Sequence, residues 1–154
     1  MAKTMKTKFE YVVKFLCGSA MLEGGPGVQP VVKGEYATCI NVYNPSKKSA
    51  SFAWNVAKTL VQDQPGITAG VSPFFHKVKH PLYTGEAREY SCRNLLGVGE
   101  RITGFAEGFM VIASPVELDI VVVYTARAPD GYVSTLDVEE VQPKKRAKTI
   151  TLTK

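Results

Sequence analysis

The feature that most constrains this chain is a two-residue alternation of apolar and polar side chains, repeated in short runs along its length. Side chains on an extended strand point alternately to opposite faces, so this period marks strands rather than helices. Residues 9–16 are rich in aromatic and β-branched types and predict a first strand. In 35–43, Tyr36, Thr38, Ile40 and Val42 share one face, while Ala37, Cys39, Asn41 and Tyr43 share the other. Phe52, Trp54 and Val56 alternate with smaller residues in 51–57, and 86–91 reads as an edge strand. The late runs are the clearest: 108–113, then 116–125, and 132–138 after the Pro129-Asp130-Gly131 turn signal. No stretch of ten or more residues carries a capped apolar stripe of helical period. A short helical turn is expected only near 92–96, and a loop over 62–73, where Pro65, Gly66, Gly70 and Pro73 fall.

Seven or eight short strands separated by turn signals predict an all-β domain, a single immunoglobulin-like or jelly-roll-like β-sandwich. The length of 154 residues fits one domain with a core of its own. Cys39 precedes Trp54 by fifteen residues, an echo of the cysteine and tryptophan of immunoglobulin strands, and Trp54 is expected to be buried between sheets. Tyr124 and Thr125 stand where the partner cysteine of that pattern would be. The three cysteines, Cys17, Cys39 and Cys92, are odd in number and lack C-x-x-C spacing, so they read as buried reduced thiols. With Glu10 and Lys14 breaking the first apolar run, no secretory leader is expected, and no run approaches the roughly 18 apolar residues of a membrane span. A cytoplasmic location is therefore expected.

The net charge of +5 divides unevenly. All 14 acidic residues lie between Glu10 and Glu140, against 11 basic residues in 9–142, so that body carries −3. The remaining basic residues lie in a basic N-terminal segment, 1–8, and a basic tail, 143–154. Nucleic-acid binders usually carry a basic face on the folded body, so nucleic acid is expected only through the tail. Within the tail, 143–148 is expected to leave the domain body. Thr149, Ile150, Thr151, Leu152 and Thr153 alternate like a strand and are expected to dock on the sheet edge of another subunit.

Catalytic patterns are missing. Neither a Gly-x-Ser-x-Gly elbow nor a P-loop is present, and the glycines at 24, 25 and 27 and at 97 and 99 lack the context of a phosphate cradle. On extended chain, His76 and His80 would lie about 13 Å apart, too far to share a metal. Arg88 and Arg93 flank Cys92, yet with no histidine or second cysteine near in sequence it reads as a structural thiol. The candidate binding residues are carboxylates: Glu117 and Asp119 at the start of one strand, and Asp137 and Glu139 on a strand expected to pair with it. Four carboxylates on adjacent strands can hold a hard cation such as calcium, or form a solvated sheet face.

Two stretches, 36–45 (YATCINVYNP) and 108–126 (GFMVIASPVELDIVVVYTA), resemble an uncharacterised group of small bacterial proteins that brings no assigned activity. More distantly, the order of elements is similar to the sensory rhodopsin transducer family: a strand ending in an Asn turn, a Pro-rich loop, a strand near an Arg, and a late strand after Ser-Pro. That resemblance implies a small cytoplasmic β-sandwich that forms tetramers and binds partners rather than catalysing. The basic tail and longer middle depart from it, so a rhodopsin partner is not implied. The sequence thus predicts a non-enzymatic, self-associating β-sandwich acting as an assembly or adaptor module. It is expected to have no cofactor, to be a homo-oligomer and to have room for a protein partner. The alternative is a carbohydrate- or cation-binding sandwich.

Overall fold

The computed structural model describes residues 3–20, 33–59, 75–96 and 104–153, and these are nearly all strand. They form β1 (Thr4–Ala20), β2 (Gly34–Tyr43), β3 (Ala53–Lys58), β4 (His76–Lys77), β5 (Ala87–Ser91), β6 (Phe105–Ser114), β7 (Asp119–Arg127), β8 (Val133–Glu140) and β9 (Lys144–Thr151). One short helix, α1 (Cys92–Leu96), follows β5 where a helical turn was expected. The chain is therefore all-β, with nine strands among the described residues. The loop expected over 62–73, the glycine turn at 24–27 and Gly97 and Gly99 lie outside the described residues.

Hydrogen bonding joins the strands into one sheet in the order β4-β3-β6-β1-β2-β7-β8, with β5 also on β2 and β9 also on β1. All the strand pairs are antiparallel. The 17-residue β1 organises this sheet by changing neighbours along its length. It runs beside β9 at Thr4–Glu10, beside β6 at Phe9–Gly18, and beside β2 only at Gly18–Ala20. Gly18 has φ 94°, a left-handed conformation that glycine adopts without steric cost, just where β1 reaches β2. Beyond that point the β1–β2 ladder stops and a side chain takes its place. The Thr38 hydroxyl accepts from the Leu16 amide at 2.9 Å and donates to the Leu16 carbonyl at 2.9 Å.

One arm of the sheet, β4-β3-β6-β1-β9, and the other, β5-β2-β7-β8, share a core. Tyr11, Val13 and Phe15 of β1 and Met110 and Ile112 of β6 cluster with Ile40 and Val42 of β2 and Ile120 and Val122 of β7. These positions are two residues apart on each strand, which is why the sequence alternation is so regular. Gly108 lets β3 approach β6: a Cβ there would sit 2.4 Å from the Ala57 carbonyl oxygen.

Three expectations are corrected. First, Cys17 and Cys92 are joined in a disulfide with Cα atoms 5.7 Å apart, leaving Cys39 as the free thiol among the three. The pair is 75 residues apart in sequence, so no local spacing announces it. Second, Trp54 is only half-buried. It lies opposite His76 of the two-residue β4, close to the end of the sheet, so no long strand covers its ring. The ring packs on Tyr90 at 5.6 Å and His76 at 4.9 Å between centroids, while Phe52 occupies the fully buried position.

Third, the basic tail does not leave the domain body. Thr4–Thr7 of β1 pair with Lys148–Thr151 of β9 in the same chain. Glu10 is buried and takes two cations of the tail, Lys148 by a close contact and Arg146 at 3.6 Å. Ile150 and Leu152 close a second apolar cluster with Ala53 and Ala113, flanked by Met5 and Phe75. The strand formed by Thr149, Ile150 and Thr151, with Leu152 and Thr153 beyond it, thus seats on its own sheet. A period-two apolar pair finds cover on the back of β3 and β6 without another subunit.

Candidate functional site

The registers of β5, β2, β7 and β8 define a face turned away from the core. Where Thr38, Ile40, Val42, Ile120 and Val122 point inward, their neighbours must point outward. Residues directly opposite in an antiparallel pair share a face. The outer face is therefore a grid of rows. Its central row is Ser91, Cys39, Val123 and Val138, from β5 to β8. On one side lies Ala37, Thr125 and Leu136, and beyond it Glu35 opposite Arg127. On the other side lies Glu89, Asn41, Val121 and Glu140, and beyond it Ala87, Tyr43 and Asp119.

The middle of this grid is apolar and open to solvent. Leu136 is 66% exposed, Val138 58% and Tyr43 40%. The registers place half-buried Val121, Val123 and Cys39 between them in one strip of the face. Charged residues sit at its two ends. Arg127 contacts Glu35 through Nη2 at 2.6 Å and Nε at 2.9 Å. Arg93, exposed at the start of α1, lines a cavity of about 220 Å³ with Cys39, Ala37 and Val123. A wider groove of about 530 Å³ continues past Tyr36 and Thr125 to Arg127. Burial, then the neighbouring Glu89, pushes the Cys39 thiol above its ordinary pKa, so it stays neutral.

The four predicted carboxylates are not brought together. Glu117 is exposed ahead of β7, and Asp119 begins β7 on the outer face. Asp137 and Glu139 lie opposite Tyr124 and Val122 and so belong to the core-side face, where β8 overhangs beyond the core. The Tyr124 hydroxyl donates to Glu139 Oε2 at 3.0 Å, and burial followed by that carboxylate drives the phenol pKa upward. Among the described residues, no group of three histidine, cysteine or acidic side chains is placed to hold a metal. His76 stacks beside Trp54, and the His80 carbonyl accepts from Arg88 Nη2 at 3.0 Å.

The sequence of β7 does not reveal the outer face, because Val121, Val122 and Val123 are apolar on both sides of the strand. The signal was present in β8, where Leu136 and Val138 alternate with Asp137 and Glu139 on a strand with only one sheet neighbour among the described residues. Among those residues no helix is long and apolar enough to cross a membrane. No protein-family model matches the chain, nor does any curated protein or solved structure.

Proposed function

We propose that this chain is a non-enzymatic module that self-associates through the outer face of β2, β7 and β8 and serves assembly or an adaptor role. The observation that carries this reading is an outer face on which exposed Tyr43, Leu136 and Val138 have half-buried Val121 and Val123 between them, with charged residues at both ends. An apolar patch with a polar rim on a folded domain marks an interaction surface more often than it marks solvent contact. The tail supports the reading by default, since Glu10 engages Lys148 and Arg146 and leaves fewer cations for nucleic acid. The Cys17–Cys92 bond supports an oxidising setting over a reducing cytoplasm.

The test is light scattering on the intact chain and on a Leu136→Glu, Val138→Lys double variant. Both positions are exposed, so the fold should survive with an unchanged circular dichroism spectrum. Association in the parent and its loss in the variant support the proposal. Equal masses for both would end it.

A further inference from the structure

We propose that Cys92 is a thiol-exchange site, at which a small carboxylate-bearing thiol enters from the outer face and takes the place of Cys17. The site rests on the disulfide and the cavity beside it, and is independent of self-association.

A gap in the hydrogen-bond ladder makes the cavity. Along one edge, β2 pairs with β1 from Gly34 to Tyr36 and with β5 from Cys39 to Tyr43, while β7 covers its other edge throughout. Among the described residues, no strand pairs with Ala37 and Thr38 on the first edge. Their neighbourhood is completed by other groups. The Thr38 hydroxyl bonds to the Leu16 backbone, and the Thr38 amide donates to Cys92 Sγ at 3.3 Å. The disulfide thus stands where a strand would. The cavities of about 220 Å³ and 530 Å³ both have Ala37 and Cys92 in their walls, and Thr38 lines the smaller one.

The two sulfurs are not equivalent. Cys92 lines both cavities, and Cys17 lines neither. Cys92 is half-buried, whereas Cys17 has no exposed surface. Exchange proceeds by attack of a thiolate on one sulfur of a disulfide, so access selects Cys92. The incoming thiolate forms a bond to Cys92 Sγ as the bond to Cys17 breaks. The electron pair stays on Cys17, which takes up the proton that the incoming thiol lost. One disulfide replaces another, with no net oxidation. Cys39 is not the attacking group, because Asn41 Nδ2 donates to its sulfur at 3.6 Å, on the side away from Cys92.

The cations select the thiol. Arg93 is exposed at the smaller cavity and makes no ion pair among the described residues. Arg127, in the wall of the wider groove, is held by Glu35. Arg93 is therefore the group that meets a carboxylate on the entering molecule, a pairing its planar guanidinium suits. A groove of about 530 Å³ is of the size that takes small molecules.

The test uses glutathione as the probe and 2-mercaptoethanol as a thiol without carboxylates. The parent and the Leu136→Glu, Val138→Lys variant are both studied at low concentration, so that a face covered by association is not mistaken for a closed cavity. After brief exposure to reduced glutathione and a denaturing quench with N-ethylmaleimide, peptide mass spectrometry should find glutathione on Cys92 and maleimide on Cys17. The adduct should form at a rate proportional to glutathione concentration. Cys17 can expel it again, so a second pair of variants, both carrying Cys39→Ser, traps it. Folded Cys17→Ala should acquire glutathione on Cys92 from glutathione disulfide, and folded Cys92→Ala should leave Cys17 unmodified. Arg93→Ser should slow the glutathione reaction by about threefold or more at low salt and leave the 2-mercaptoethanol reaction unchanged. An adduct on Cys17, no adduct on Cys92 in either experiment, or a rate independent of thiol concentration overturns the site. Equal effects of Arg93→Ser on both thiols overturn the carboxylate contact.

Discussion

The Tyr11 hydroxyl donates to the Leu118 carbonyl at 2.8 Å and accepts from the Leu118 amide at 2.7 Å. One buried side chain thereby satisfies both backbone groups of a residue at the entry to β7 and ties that entry to β1, on the other arm of the sheet. Tyr11→Phe leaves both groups unpaired in the core and should cost about 1–3 kcal/mol in chemical denaturation. Burial pushes the Tyr11 pKa up from 10.0 to about 12. The folded value lies above the unfolded one, so the contribution is complete below about pH 10 and is lost as pH rises towards 12. The parent should lose stability over that range more steeply than the phenylalanine variant. Parallel pH profiles would show that Tyr11 is not buried as described.

Cys17 and Cys92 close a long loop, and cross-links of this kind stabilise mainly by restricting the unfolded chain. Reduction, or replacement of both by serine, should cost roughly 2–5 kcal/mol. Thiol titration of the denatured, unreduced chain should find one reactive group, Cys39. Three would show that the bond does not form.

β9 is integral to the fold. Ile150 is 4% exposed and packs with Ala53, Ala113 and Leu152. Ile150→Ala should cost about 2–5 kcal/mol, and removal of 144–154 should lower the melting temperature by several degrees. A truncated chain melting with the parent would mean that the segment hangs free.

The architecture was legible where one face of a strand is buried. Tyr36–Tyr43 alternate as expected, and the Asp130–Gly131 turn forms with Gly131 at φ 93°. What the sequence could not show depends on pairings distant along the chain. Cys17 meets Cys92 only because β1 and the start of α1 come together. The basic tail looked unattached because its counter-charge, Glu10, lies 138 residues away from Lys148. The carboxylates looked like one cluster because strand phase was unknown: the register Val122↔Glu139 puts Glu139 on the opposite face from Asp119. The outer face was hidden for the same reason. Val121, Val122 and Val123 form one apolar run in sequence, but only Val122 is fully buried.

The central claim is that a second copy covers Tyr43, Leu136 and Val138, which are exposed on a single chain, together with half-buried Val123. Sedimentation equilibrium of the intact chain, over a wide range of concentration, tests it most directly. The prediction is a concentration-dependent mass rising to twice the 16.8 kDa of one chain. A mass that stays at 16.8 kDa at every concentration would contradict it.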